Sequence, residues 1–196
     1  MQVLSCQRAV SLVASPRRTR AQRGFTLVEL MITLTIAVVL LMIAVPSFKN
    51  LTLSNKLTTS ANDIVHAISV ARMEAIKRNS STQLCSDSSS ANSSTDLGKA
   101  CGTETGAVWA MNSAGVTQVL AGAPGLVAPL ELKGNATALT FNAQGLAHKP
   151  GVSTLYEGTV VDICTSQMKG NKDNHRVITM TAGSILATTT TSGTCP

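Results

Sequence analysis

The sequence predicts an α+β protein: a long, kinked N-terminal helix, transmembrane in its first half, packs under a small antiparallel β-sandwich head. Two observations predict the helix: an apolar run at residues 25–45, and an apolar stripe that continues toward residue 78. Short strand-like runs separated by turn residues follow and predict the head. We therefore divide the chain into a leader at 1–24, an anchor helix at 25–45, an amphipathic continuation at 46–78 and a head at 79–196.

The leader carries most of the excess positive charge of the chain. The 196 residues have a formal net charge of +6, and five of the sixteen basic residues precede Phe25. Without residues 1–24, eleven basic and ten acidic residues remain, so the rest of the chain is nearly neutral. Aromatic residues make up only 3% of the sequence, which disfavours a surface that stacks nucleic-acid bases.

Residues 25–45 are long and apolar enough to span a bilayer. At about 1.5 Å per residue they would extend about 31 Å, close to the thickness of the hydrocarbon core. Arginines crowd the N-terminal side only, so we expect a cytoplasmic leader and an exported head. A secretory signal peptide, a twin-arginine signal, a lipidation site and an ordinary single-pass anchor are alternatives, but none of them explains an acid within the apolar run.

Glu29 is the one charged residue of the anchor helix. A carboxylate inside a spanning segment is disfavoured by roughly 2.5–3.5 kcal/mol when central, so such residues usually have a partner or a function. Cleavage after Gly24 would create a partner, because the new α-amino group of Phe25 would stand four residues before Glu29 on the same helix face. The pair could form within one chain or between neighbouring chains.

Residues 24–30 (GFTLVEL) resemble the leader junction of type IV pilins and type II secretion pseudopilins. The resemblance implies that a prepilin peptidase cuts after Gly24 and methylates Phe25, and that Glu29 sets the register of a subunit in the filament. It implies three kinds of partner: the prepilin peptidase, other minor and major pilins, and the inner-membrane assembly platform. It also implies a single-pass protein of the bacterial inner membrane with a periplasmic head, which later joins a filament at the cell surface.

Pro46 should kink or loosen the helix where the anchor ends, because it cannot donate a hydrogen bond to the carbonyl of Met42. Beyond it, Glu74 and Arg78 form an i,i+4 pair near the expected helix end. We expect the helix to run from about Phe25 to Lys77. The predicted buried stripe comprises Leu57, Ala61, Ile64, Ile68, Ala71 and Ala75.

The region after Asn79 predicts eight strands and one exposed loop. The loop is the Ser/Asn-rich segment from Ser86 to Thr95. The strands are expected at Thr82–Cys85, Ala107–Met111, Thr117–Leu120, Leu126–Leu132, Thr137–Phe141, Thr159–Cys164, Arg176–Thr181 and Ile185–Thr190.

The four cysteines after the leader indicate disulfides in an oxidising compartment. Chain order favours Cys85 with Cys101 and Cys164 with Cys195, although four cysteines allow three connectivities. No C-x-x-C spacing suggests zinc or a dithiol redox centre.

The head resembles the H-type minor pilins and pseudopilins, the GspH/FimT (FimU-like) family. Residues 141–145 (FNAQG) and 176–183 (RVITMTAG) stand in the places of its F-x-x-x-G and R-x-I-x-x-x-x-G runs. Some members bind DNA through a Gly-Arg-x-Arg turn, but residues 183–186 (GSIL) lack both arginines, so DNA is a disfavoured partner. The candidate residues for a weak basic patch nearby are Lys169, Lys172, His175 and Arg176.

No enzyme, cofactor or metal site is expected, because the sequence lacks G-x-S-x-G, H-E-x-x-H and Gly-rich phosphate-loop patterns. The resemblance implies a minor subunit of a type IV pilus, in a tip or initiation complex. The alternatives are an H-type pseudopilin of a type II secretion system and a DNA-binding minor pilin of natural transformation.

Overall fold

The computed structural model describes residues 24–93, 95–123 and 126–196. Except for Gly24, the predicted leader lies outside the described residues. The chain divides after Met42 into an N-terminal unit and a larger unit that starts at Ile43. The α+β class, with a long N-terminal helix and antiparallel sheets, is confirmed.

The first helix, α1, spans Leu27–Arg78, close to the expected limits. Pro46 lies inside the assigned helix, and the kink expected there stays a prediction. At the other end, Asn79 has a positive φ of 47°, a conformation common just after a helix C-terminus. Arg78 Nε lies 2.6 Å from Glu74 Oε2, and this hydrogen bond is the main cause that lowers the pKa of Glu74.

Two antiparallel sheets follow the helix. The described elements of the head are α2 (Ser89–Asn92), α3 (Asp96–Cys101), a 3-10 turn (Lys169–Asn171), β1 (Thr82–Leu84), β2 (Val108–Asn112), β3 (Gly115–Leu120), β4 (Glu131–Leu132), β5 (Leu139–Phe141), β6 (Ala147–His148), β7 (Gly158–Cys164), β8 (His175–Thr181) and β9 (Ile185–Thr191). One sheet has the strand order β3-β2-β1-β5-β6. The other has the order β4-β7-β8-β9.

All eight expected strands are present, but one is shorter than expected and the structure has one additional strand. The strand expected at Leu126–Leu132 is reduced to Glu131–Leu132, since Pro129 in its middle has no N–H to donate to a ladder. Strand β6 was not predicted. It contains only Ala147 and His148, which is too short for an alternating pattern.

The prediction of an exposed loop at Ser86–Thr95 was wrong in part, since only Ser89, Ser90 and Thr95 are exposed among its described residues. Ser86 and Asn92 are fully buried, and α2 lies within the segment. The Asn92 side chain accepts a hydrogen bond from Ser86 N–H at 2.8 Å and donates to the carbonyls of Ser86 and Gly102 at 3.1 and 3.0 Å. Because one amide satisfies three backbone groups, a polar segment can be buried here.

The core joins the second half of α1 to side chains from both sheets in one cluster. All six residues of the predicted stripe are buried, as helical periodicity requires. From the five-stranded sheet, Leu139 and Phe141 join them, and from the four-stranded sheet, Ile163 and Ile178. The part of α1 from Leu53 to Ala75 therefore belongs to the same core as both sheets.

Two disulfides close loops at opposite ends of the head sequence. Cys85 is bonded to Cys101, with Cα atoms 5.4 Å apart, and Cys164 to Cys195, with Cα atoms 5.8 Å apart. These are the pairings that chain order favours. The first bond closes the segment with α2 and α3, and the second ties the C-terminal residues to β7.

Removing either disulfide should destabilise the head. For loops of 16 and 31 residues, the chain-entropy model gives roughly 3–4 kcal/mol each. We expect Cys85→Ser/Cys101→Ser and Cys164→Ser/Cys195→Ser to lower the urea midpoint of the detergent-solubilised chain. The fluorescence of Trp109, the single tryptophan, reports the transition because its ring packs beside Cys85 and Cys101. Cys6→Ser in the leader is the control, and equal midpoints in all variants would contradict the account.

Candidate functional site

The N-terminus of α1 is capped by Thr26. Its Oγ1 accepts a hydrogen bond from the backbone N–H of Glu29 at 3.2 Å, and its carbonyl accepts one from Leu30 N–H at 3.1 Å. Thr26 and Glu29 thus occupy the first and last places of an S/T-x-x-E capping pattern. Sequence reasoning missed this cap, although the pattern was visible in GFTLVEL. The carboxylate of Glu29 lies in the first turn, where the helix dipole favours negative charge.

The helix begins two residues after the expected first residue, Phe25. Phe25 is 80% exposed and lies before the helix, so it does not share a helix face with Glu29. The pairing itself involves an amine that the chain acquires only on cleavage after Gly24, so it stays a prediction. A pairing between chains does not need that geometry.

The hydroxyl groups of the apolar segment are all satisfied by its own backbone. Thr33 Oγ1 donates to the carbonyl of Leu30 at 3.0 Å, and Thr35 Oγ1 donates to that of Met31 at 2.7 Å. Together with the Thr26 cap, these bonds remove the cost of carrying hydroxyls in an apolar environment. The carboxylate of Glu29 forms no ion pair or side-chain hydrogen bond among the described residues. It is the one charged side chain among the described residues 25–45.

Every residue from 24 to 49 is exposed. By length and composition, α1 contains a stretch that could cross a membrane, and none of that stretch is buried. Exposed apolar surface of this extent normally marks contact with lipid or with other proteins. The segment is therefore a surface for membrane or partner contact rather than part of a core.

A shallow apolar groove of about 440 Å³ lies in the larger unit, between α1 and the segment that precedes β4. Phe48 and Leu51 form its helix side, and Val127 and Leu130 form the opposite side. Phe48, Leu51 and Val127 are largely exposed. Exposed apolar side chains on α1 therefore continue beyond Pro46, to Phe48 and Leu51.

Two family models match the chain. One, described as the type II transport protein GspH, matches residues 60–184, which is more than half of the sequence. The chain belongs to the GspH family. The other, the prokaryotic N-terminal methylation motif, matches residues 19–45. No curated protein and no solved structure gave a match.

GspH membership and the methylation motif identify a pilin or pseudopilin. Proteins of these families are structural subunits that assemble with other pilins and are processed by prepilin peptidase. The motif and the apolar helix indicate a membrane-anchored protein. The family resemblance expected from the sequence is thus confirmed.

The candidate basic patch does not form, because two of its four members are buried in this GspH-family head. His175 is 1% exposed, and its Nδ1 lies 2.9 Å from Asp162 Oδ1. Arg176 is 8% exposed. Lys169 and Lys172 remain exposed, at and just after the 3-10 turn. Two lysines do not make a basic surface of the size that nucleic-acid binding needs.

Arg176 instead attaches β8 to α1. Its Nη2 donates to Ser54 Oγ at 2.9 Å and its Nε to Thr58 Oγ1 at 3.3 Å. Its Nη1 donates to the carbonyls of Asp173 and His175, each at 2.9 Å. A buried guanidinium with four acceptors is well satisfied. The arginine of the R-x-I-x-x-x-x-G run therefore holds the helix against the sheet.

The glycines of the two family runs are needed for close packing. Gly145 has a φ of 74°, and a Cβ there would lie 2.8 Å from Ile76 Cδ1 on α1. Gly183 has a φ of 66°, and its Cβ would lie 2.8 Å from the Ala147 carbonyl oxygen. Both conformations favour glycine. The F-x-x-x-G and R-x-I-x-x-x-x-G runs thus encode how the GspH-family head closes on its helix.

The turn that carries arginines in DNA-binding members is bound to α1 in this chain. Arg72 Nη2 donates to the Ser184 carbonyl at 2.6 Å. The turn at residues 183–186 contains no cation of its own. The arginine near it comes from the helix and is already engaged.

Replacing Arg176 should destabilise the head much more than replacing an exposed cation. Arg176→Met keeps the length of the side chain but removes four hydrogen bonds, so we expect a loss of roughly 2–4 kcal/mol in the free energy of unfolding. The matched control is Lys172→Met, with an expected change within about 0.5 kcal/mol. Urea titration of the detergent-solubilised chain measures both. Similar midpoints for the two variants would show that Arg176 does not attach the helix.

Proposed function

We propose that this GspH-family chain is a minor subunit of a type IV pilus, placed in a tip or initiation complex. The observation that carries the proposal is the exposed apolar segment at 25–45, whose single charged side chain, Glu29, has no ion pair or side-chain hydrogen bond among the described residues. A subunit of a filament with an apolar core needs such a segment. The neighbouring subunits supply the contacts that the single chain lacks.

The proposed maturation supplies the missing cation. Prepilin peptidase cuts after Gly24 and methylates the new N-terminus at Phe25, and the leader with its arginines is removed. A secondary ammonium then stands at the end of an apolar segment that has no other cation between residues 25 and 45. In a medium of low dielectric constant, an ammonium and a carboxylate attract each other far more strongly than in water.

The pairing we propose joins neighbouring subunits. Thr26 already caps the helix, and Phe25 lies outside the helix, so the two groups of one chain do not share a face. A neighbouring chain displaced along the filament axis has no such restriction. The carboxylate of one subunit then fixes the axial position of the next, which is the register role proposed for Glu29.

The head has a separate role in this proposal. Before assembly the protein is held in the inner membrane by residues 25–45, with the head in the periplasm. After extraction by the assembly platform, the head faces other minor pilins. Its two disulfides suit an oxidising compartment.

An H-type pseudopilin of a type II secretion system is the second candidate, favoured by the match to a family described as a type II transport protein. It would use Gly24, Phe25 and Glu29 in the same way. Deleting the gene separates the two candidates. Loss of surface pili with normal protein secretion supports the pilus, and loss of secretion with normal pili supports the pseudopilin.

DNA is not a proposed ligand. The turn at 183–186 has no arginine, and His175 and Arg176 are buried. A DNA-binding minor pilin would have to expose cations that this head uses internally. Salt-sensitive binding of duplex DNA by the purified chain would overturn this part of the proposal.

Replacing Glu29 should impair assembly and leave earlier steps intact. Glu29→Ala removes the partner of the Phe25 amine, and we expect recovery in sheared filaments to fall by at least about tenfold, as loss of a desolvated ion pair would give. Membrane insertion and leader cleavage should continue, because the apolar segment and Gly24 are unchanged. Immunoblots of membrane and filament fractions measure these quantities.

The matched control is Thr33→Val, which changes one polar side chain of the same segment. The hydroxyl of Thr33 bonds only to its own helix, so its loss should leave filament recovery normal. Normal recovery of Glu29→Ala would contradict the role of Glu29. An equal loss with Thr33→Val would mean that the segment tolerates no change and that Glu29 has no special part.

A further inference from the structure

The four-stranded sheet has one long open edge, formed by β9. Seven consecutive residue pairs join β9 to β8 without a register shift. Among the described residues, β9 makes no backbone hydrogen bond outside this ladder, and six of its seven residues are exposed. One row of backbone donors and acceptors along β9 is therefore available to another strand.

The other three sheet edges in the described ranges carry features that discourage pairing. Strands β4 and β6 have two residues each, and β4 includes the charged Glu131. Strand β3 has six residues, but its pairing with β2 is irregular between Val108 and Trp109, as in a β-bulge. Short edges, charges and bulges are the usual protections of an edge strand. Strand β9 has none of them.

The sequence of β9, ILATTTT, is rich in β-branched residues and has no charge and no proline. Such a segment on an open edge is an aggregation hazard unless something covers it. The C-terminal residues are held elsewhere: Ser192 Oγ accepts from Asp173 N–H at 2.8 Å, and Cys195 is bonded to Cys164. The chain's own tail is thus tied to the loop before β8 and to the end of β7.

We propose that the open edge of β9 binds an extended, uncharged segment from the head of another pilin subunit, which adds a fifth strand to this sheet. Backbone hydrogen bonds would provide the affinity, and the threonine side chains on both faces would pair across the strands. A charged segment would find no opposite charge on β9. The inference rests on the proposed function, since it takes the partner from the same assembly.

A different subunit fits this edge better than a second copy of the chain. Two β9 strands paired with each other would form a closed two-fold dimer, and a closed dimer cannot continue along a filament. A strand from a different head leaves the other surfaces of both subunits free. The edge therefore specifies a neighbour in a minor-pilin complex rather than self-association.

Charge on the exposed edge should block the added strand. We expect Thr188→Lys/Thr190→Lys in the full-length chain to lower co-purification with other pilins from detergent-solubilised membranes on the order of tenfold. The control is Thr159→Lys, on an exposed threonine of β7, which pairs with the side of β8 opposite to β9. Both variants should unfold at similar urea concentrations. Unchanged co-purification of the double variant, or an equal loss in the control, would overturn the proposal.

A photoreactive amino acid in place of Thr189 identifies the neighbour directly. A cross-link to another pilin-like subunit, mapped to an extended uncharged segment, supports the proposal. A cross-link to a second copy, or none in membranes and filaments that contain the chain, overturns it. If the chain is cross-linked to another pilin in membranes but is absent from pili, the proposed pilus role fails while the proposal for the edge stands.

Discussion

One carboxylate in an apolar helix constrains how this protein is used. The segment at 25–45 satisfies its threonines internally, through the Thr26 cap and the bonds from Thr33 and Thr35 to the preceding turns. Glu29 has no such solution among the described residues. Because its carboxylate is costly to desolvate, Glu29 favours a state in which a cation from another chain neutralises it. The proposed filament provides that state, because each subunit would bring one new amine and one carboxylate.

The second half of the same helix serves a different purpose. Its small and aliphatic stripe forms the core with both sheets, and Arg176 and Arg72 attach β8 and the following turn to it. Gly145 and Gly183 allow the chain to approach closely where a side chain would collide. One helix thus contains both an exposed apolar segment and a buried part of the core.

The sequence predicted those features that depend on periodicity or on local chemistry. The extent of α1 and its buried stripe follow from three- and four-residue spacing, and most strands from β-branched runs between turns. Burial of Arg176 could not be predicted, because it depends on Ser54 and Thr58, which are far away in sequence. The partners of Asn92 and His175 are nearer in sequence, but no local pattern pairs them. Strand β6 was too short to give a pattern. The open edge of β9 became visible only when the strand order was known.

The measurement that tests the account most directly is mass spectrometry of the mature N-terminus, on protein recovered from cells that assemble the filament. The account predicts a chain that begins at Phe25 and carries one methyl group on its α-nitrogen. Only a chain that has been cut after Gly24 has an α-amine four residues before Glu29. Recovery of incorporated, functional protein that still carries residues 1–24 would contradict the central claim, since the proposed partner of Glu29 would then not exist.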